Sequence, residues 1–493
     1  MRVGLLLAAL ALGLFGATPP QQRGQRACRI QVDSVRRDAN FVTLADGTQQ
    51  IFAGGGVFAR CIAEPTTITA DSMAYFQAQA ELRFLGNVHF RDSTSLLDAD
   101  RVTYWTREER LHAEGNVYTR NFKSGSEMRG PNLDYYRAVP GVRDTVELYA
   151  TGRPTIHFFS ARDSASADRR PFLIVSDRVA MRHNDRMWGS GRVTIDRDDL
   201  NARSDSAFLN LADSLGYLIG VAEVIGRDTA APADSNTYRL TGQRIRFELT
   251  GGQEVRRAVA VHRALATGPD WTLRGDTLDI ALDSSRVQRA QAWGRMDDEQ
   301  PSAQSGLSTV LGDSLDVQMP GQVMHLVWAY GRARANSRPD TTVVEEDWLA
   351  GDTLRADFAS APDSAGRRRS EVEHVTAVGG DRVPLASAYY HTENESEPDG
   401  PRGISYSRGL RIRIAMRERR VRTVDVVGEV DGVYLEPLPR AMRDSLAADS
   451  ARADSTRADS AAGRTLRPAP PTADTARAPR PPLRSPRAPR PAP

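Results

Sequence analysis

Eight histidines, a recurring aspartate, two cysteines and a triple glycine are the residues here whose types could do chemistry. The histidines (His89, His112, His157, His183, His262, His325, His374 and His391) stand singly along the chain. A zinc site needs ligands at close, characteristic spacings such as His-Glu-x-x-His, and none is present. Gly54-Gly55-Gly56 lacks the following helix and lysine of a phosphate-binding loop, and Gly-x-Ser-x-Gly is absent. Asp276, Asp313 and Asp352 recur in a Gly-Asp-x-Leu tetrad, spaced by whole repeats rather than within a calcium loop. No carboxylate pair stands out that would serve glycoside hydrolysis. The expectation is a protein with no catalytic residues, no metal and no cofactor.

What remains is an apolar stripe: Phe84, Val88, Phe90, Val102, Tyr104, Leu111, Val117, Tyr135, Leu148, Ile156 and Phe158. Such a stripe either fills an ordinary core or lines a groove that solvates acyl chains; both need the same residue types. The elements that carry it are legible. Residues 68–121 state one pattern twice: a small residue and Asp, an alternating apolar run, a polar turn, and a second run ending in Gly-x-Val. Ala70-Asp71 leads to Met73 and Tyr75, then to Leu82, Phe84, Gly86, Val88 and Phe90. Ala99-Asp100 leads to Val102 and Tyr104, then to Leu111, Ala113, Gly115 and Val117. Alternation over runs this short predicts half-buried strands, and recurrence at a fixed spacing predicts a stacked repeat.

Looser copies follow, through Ser176-Asp177 with Gly191-Arg192-Val193, Ser204-Asp205 with Tyr217 to Val224, and the three Gly-Asp-x-Leu openings. Each Asp is expected to make a turn, because its carboxylate can accept backbone N–H groups two residues on. The Gly of the closing strand lets the backbone bend or another group approach closely. Two strands per unit with a sharp bend suit a sheet folded over on itself, apolar face inward. Roughly ten units, one strand each per sheet, would extend about 50 Å, with unpaired strand edges at both ends.

Met1 to Phe15 carries one positive residue and an apolar run too short for a stable membrane span, which suits a secretory signal. A lipid anchor at Cys28 is disfavoured by Gln25 and Arg26. In an oxidising compartment Cys28 and Cys61 are read as one disulfide around the first unit. Closing a loop of about 33 residues would contribute roughly 3–4 kcal/mol. A redox or metal site is the competing reading, opposed by the lack of a nearby Cys or His. The expected organisation is a signal and polar leader over 1–27, the clearest repeats over 28–160, and degenerate repeats over 161–440. A disordered Asp/Ser/Ala/Arg/Pro tail is expected over 441–493. Net charge is +2 against 26% charged residues, so bulk attraction to nucleic acid is not implied.

Thr69-Ala70-Asp71-Ser72-Met73 through Gly86-Asn87-Val88, and Asp98-Ala99-Asp100-Arg101-Val102 through Ala113-Glu114-Gly115-Asn116-Val117, resemble the OstA-like domain. That family includes periplasmic lipopolysaccharide-transport bridges and the N-terminal part of their outer-membrane partner. The resemblance is good over about residues 40–160 and looser to about 435. It implies an elongated all-β repeat jellyroll, a folded-over antiparallel sheet open along one seam. It also implies an interior lined by the apolar stripe that shields the acyl chains of lipopolysaccharide or a similar amphiphile. Partners would be other OstA-like components joined by edge-strand pairing, with head-to-tail self-association as a further possibility. The chain departs from the family in its length, its Gly-Asp openings and its tail. The function expected is a periplasmic, non-enzymatic lipid relay to the outer membrane; the rival is a structural β-solenoid with a sealed core.

Overall fold

The structure is a computed structural model. It describes residues 29–450 except 62–64, 94, 140, 160–170, 183–185, 211, 228–236, 251–253, 295–299, 339–344, 363–367, 393–401 and 448–449, together with Leu7–Ala8. Cys28 lies outside these residues, and with it the expected disulfide to Cys61. The Pro-, Asp-, Ser- and Arg-rich stretches Ser160 to Arg170, Arg227 to Asn236, Asp297 to Ser305 and His391 to Arg402, expected as surface loops, lie largely outside them too, although Arg227, Ser302–Ser305, His391 and Thr392 belong to strands. Two compact units divide the chain, Met1–Leu435 and Glu436–Pro493. In the second, residues 440–447 are helical where a structureless tail was expected from Ala441.

The first unit is one 31-stranded sheet in which each pairing among the described residues is antiparallel. Its strands form because their alternation gives each a dry and a wet face. Along Glu81–Arg91, Leu82, Phe84, Val88 and Phe90 are buried while Arg83, Asn87, His89 and Arg91 face solvent.

The fold is decided in the middle of each strand. Leu85 pairs with Arg101 and Val88 with Ala99, so Gly86 and Asn87 together oppose the single residue Asp100. Two residues against one is a β-bulge, which bends the strand. Gly86 (φ 74°) and Asn87 (φ 45°) are both left-handed, and so are Gly115-Asn116, Gly191-Arg192, Gly220-Val221 and Gly331-Arg332. The register shifts at this level in strand after strand, so the sheet folds along a common corner into two facing halves. In most pairs a strand running one way carries the Gly-x pair and the one running back the Asp; Glu254–Thr267 has His262-Arg263 in place of the first, and Thr237–Thr250 has no Asp.

Two expectations are corrected by this geometry. Asp71 and Asp100 do not make turns: they lie inside the strands Thr67–Phe76 and Ser95–Trp105. Sequence spacing could not separate a turn from a corner, because both follow a small residue and precede an apolar run. The expected length of about 50 Å also falls short. Each long strand passes through both halves, so a two-strand unit adds two levels. About twenty levels at 4.7–4.9 Å make a stack of roughly 100 Å.

The buried apolar residues form two clusters in chain order, one from Ile30 to Met187 and one from Ala202 to Ile414. Ile195 and Leu200 pack against both while remaining only half-buried.

Candidate functional site

The eleven residues of the apolar stripe come together in the first cluster, none more than 6% exposed. Phe84, Val102, Tyr104, Leu111, Tyr135 and Leu148 belong to strand segments of one half of the sheet. Val88, Phe90, Val117, Ile156 and Phe158 belong to those of the other. The corner glycines turn one half over the other, so residues separated by a few positions along a strand face each other across the interior.

Tyr104 brings a hydroxyl into this stripe near the seam, where strand ends of the two halves meet. Its O–H donates to Glu109 at 2.6 Å, and Glu109 is paired with Arg137 at 3.1 Å. Burial and this carboxylate push the phenol well above its usual range, so Tyr104 is a neutral donor at any physiological pH. A buried phenol with its hydrogen bond made is a stable lining residue rather than a reactive one.

His89, His112 and His391 pair with carboxylates on neighbouring strands. His89 Nδ1 lies 2.8 Å from Asp98, His112 Nδ1 3.1 Å from Asp134, and His391 Nδ1 2.7 Å from Asp347. Among the described residues no three His, Cys, Asp or Glu are placed to hold a metal ion. The corner aspartates are bound to their corners. Asn87 and Asn116 donate to Asp71 and Asp100 at 2.8 and 2.9 Å, and Arg192 and Arg332 each reach Asp177 and Asp313 at 2.7 Å. The guanidinium of Arg192 holds Asp177 below the usual carboxylate range.

A feature that sequence reasoning missed lies where the two clusters meet. An apolar cavity there is lined by Phe172, Met187, Leu218, Tyr238, Phe247 and Ala258, among others. About 50 Å³ of it is open to the centre of a water-sized sphere. That is room for roughly four waters, yet the lining offers almost no polar partner to hold them. Ile195, Leu200, Leu209, Phe247 and Val255 line it from the strand ends and are only half-buried, so the cavity reaches the seam. None of the eleven stripe residues lines it. Counted from its corner, Gly189 stands where Phe84 does and Ala258 where Leu82 does, while Ala202 and Ala207 stand where Leu97 and Val102 do.

The terminal levels leave strand edges uncovered among the described residues. Ala39–Thr43 pairs on one side only, as do Arg420–Val427 and Asp431–Leu435. Phe41 is 51% exposed and Tyr434 57%, which leaves apolar side chains beside unpaired backbone. No helix among the described residues is long and apolar enough to cross a membrane.

No protein-family model matches this chain, and no curated protein matches it. Solved structures do resemble parts of it. One is LptH, the LptA-homologous periplasmic component of the lipopolysaccharide transport device of Pseudomonas aeruginosa. It shares 14% identity over 28% of this chain and 94% of that chain, with a TM-score of 0.23. Another is the extracellular domain of a one-component system protein from B. thetaiotaomicron, with 8% identity over 82% of each chain and a TM-score of 0.10. At these TM-scores neither likeness carries an argument about function.

Proposed function

We propose that this protein is a periplasmic, non-enzymatic bridge that shields the acyl chains of lipopolysaccharide, or of a similar amphiphile, and relays them toward the outer membrane. The observation that carries the reading is the placement of the eleven stripe residues on the two facing halves of one folded-over sheet. The corner joins those halves covalently on one side only. Cargo can therefore enter along the seam by parting strand ends, without breaking the ladder of backbone hydrogen bonds. The resemblance of residues 68–121 to the OstA-like domain points the same way.

Such a relay needs no chemistry. Each methylene moved from water into the interior is worth about 0.8 kcal/mol, so cargo passes only between sites of nearly equal apolar cover. Direction then has to come from an energy-using partner. Other bridge components dock by strand pairing at the free edges of Ala39–Thr43 and Arg420–Val427, and the same edges permit head-to-tail self-association.

A second reading is a structural spacer with a sealed core. It is favoured by the near-complete burial of the stripe, where Tyr104, Leu111, Val117 and Tyr135 are each 1% exposed.

A photo-crosslinking residue at Val88 (interior, 1% exposed) and another at Asn87 (exterior, on the corner) separate the two. Lipopolysaccharide adducts in cells at Val88 and not at Asn87 support the bridge. A folded protein with no adduct at either position supports the sealed spacer. A repeat at Phe90, where an aromatic crosslinker replaces an aromatic ring, guards against a packing artefact at Val88.

A further inference from the structure

We infer that the cavity between the two core clusters binds a single-chain anionic amphiphile, with Arg197 taking its head group. The site stands apart from the stripe and does not depend on the lipopolysaccharide reading.

Three observations converge on it. The cavity is apolar and reaches the seam through Ile195, Leu200 and Leu209. Beside it lies a buried cation: the Arg197 side chain is 6% exposed, and its guanidinium sits 4.2 Å over the ring of the lining residue Phe172. That cation is held by a carboxylate that also closes the seam. Arg197 Nε and Nη2 donate to Asp199 Oδ1 and Oδ2 at 2.5 and 2.9 Å. Ser285 Oγ, from the turn between Trp271–Asp283 and Arg286–Trp293 on the opposite half, donates to Asp199 Oδ2 at 3.3 Å.

The pair is asymmetric. Arg197 is anchored by stacking on Phe172, whereas Asp199 sits at the tip of a turn with 19% of its side chain exposed. The displaceable member is therefore the anion. A carboxylate or phosphate head offers the guanidinium two oxygens, as Asp199 does. Its arrival frees Asp199 to solvent and releases Ser285, so head-group binding and seam opening become one event. The chain then enters the cavity, while carbons beyond the few it holds lie along Ile195, Leu200 and Val255. Two further acids share the turn and work against an anion. Asp196 is engaged by Asn201 at 2.7 Å, and Asp198 points to solvent. Neither is buried as Arg197 is, and water screens the exposed one.

The test is calorimetric titration of the full chain with decanoate, decyl glucoside and decyltrimethylammonium, which share one chain and differ in head charge. Decanoate should bind roughly tenfold or more tightly than the glucoside, since hydrogen bonds to a charged group are worth that much. The cationic surfactant should bind weakest. Lengthening the chain should tighten binding by about fourfold per methylene until the cavity is full. In an Arg197→Met/Asp199→Asn double variant, the advantage of decanoate should vanish while glucoside binding persists. Ala258→Leu, which fills the cavity from the far side, should weaken all three. Equal binding of the three heads, tightest binding of the cation, or no response to Ala258→Leu in a protein with unchanged circular dichroism would each overturn the assignment. An absence of binding by any of the three would do so as well. Crosslinking at Val88 reads a different part of the interior, so failure here and failure there are distinguishable.

Discussion

The carboxylate of Asp71 occupies the place where Gly86 would carry a Cβ. The next residue, Asn87, donates its amide to the same carboxylate at 2.8 Å. Asp100 stands in this relation to Gly115 and Asn116, Asp177 to Gly191 and Arg192, and Asp313 to Gly331 and Arg332. Each such corner demands a left-handed backbone and an empty Cβ position; at these four a donor also stands one residue on, whereas at Gly220 beside Asp205 the next residue is Val221 and supplies none. Only glycine meets both demands together. The fold of the unit therefore rests on a pair of residues about fifteen positions apart, and both are visible in the sequence.

Gly115→Ala should destabilise the protein by about 2–4 kcal/mol, adding left-handed strain to overlap with Asp100. Asn116→Gly, which keeps the backbone and loses one hydrogen bond, should cost about 1 kcal/mol or less. Thermal unfolding ranks the two. Combining Gly115→Ala with Asp100→Ser should recover part of the loss, and additive effects would refute the contact.

Asp313 makes the corner sensitive to acid. Burial alone would raise its carboxyl, but hydrogen bonds from Arg332 and Gln300 and the charges of Arg332 and Arg382 outweigh it and hold the group below its ordinary value. A carboxyl whose folded value is depressed contributes stability above its unfolded value, near pH 4, and that contribution is lost as pH falls through the folded value. The melting temperature should drop steeply below about pH 4, and Asp313→Asn should lower it at neutral pH while flattening the acid limb.

The interior is filled unevenly, and matched substitutions read this out. Ala113 is fully buried among the packed residues of the first cluster, so Ala113→Leu should cost about 1–3 kcal/mol. Ala258 faces the cavity, so Ala258→Leu should leave stability within about 1 kcal/mol of wild type or raise it. Equal penalties would mean that the cavity is not space a side chain can use.

Asp347 accepts both the backbone N–H of His391 at 3.1 Å and its ring nitrogen at 2.7 Å, in a pair where neither side chain is more than 12% exposed. Asp347→Ala should cost about 1–3 kcal/mol by leaving buried donors without an acceptor. Hydrogen exchange at the His391 amide should accelerate with it, and an unchanged rate would show that the bond is not made in solution.

The sequence by itself determined the fold class and the inward face of the strands in the clearest repeats. Period-two alternation sets which side of a strand is dry whatever it packs against, so Val88 was placed inside and Asn87 outside from their order alone. The glycine two residues before a Val left a bend and a close approach both open, and at Gly86 the structure has both. What the aspartates do could be decided only in three dimensions. Asp71 meets Gly86 across a pair of neighbouring strands, and nothing in its own neighbourhood distinguishes that role from a turn. The cavity was equally out of reach, because a void belongs to no residue. It arises where Gly189, Ala202, Ala207 and Ala258, far apart in the chain, face one another across the folded sheet and leave space that larger side chains fill elsewhere. Arg197, one arginine among many in the text, acquires its meaning only from the ring of Phe172 beneath it and the carboxylate of Asp199 beside it.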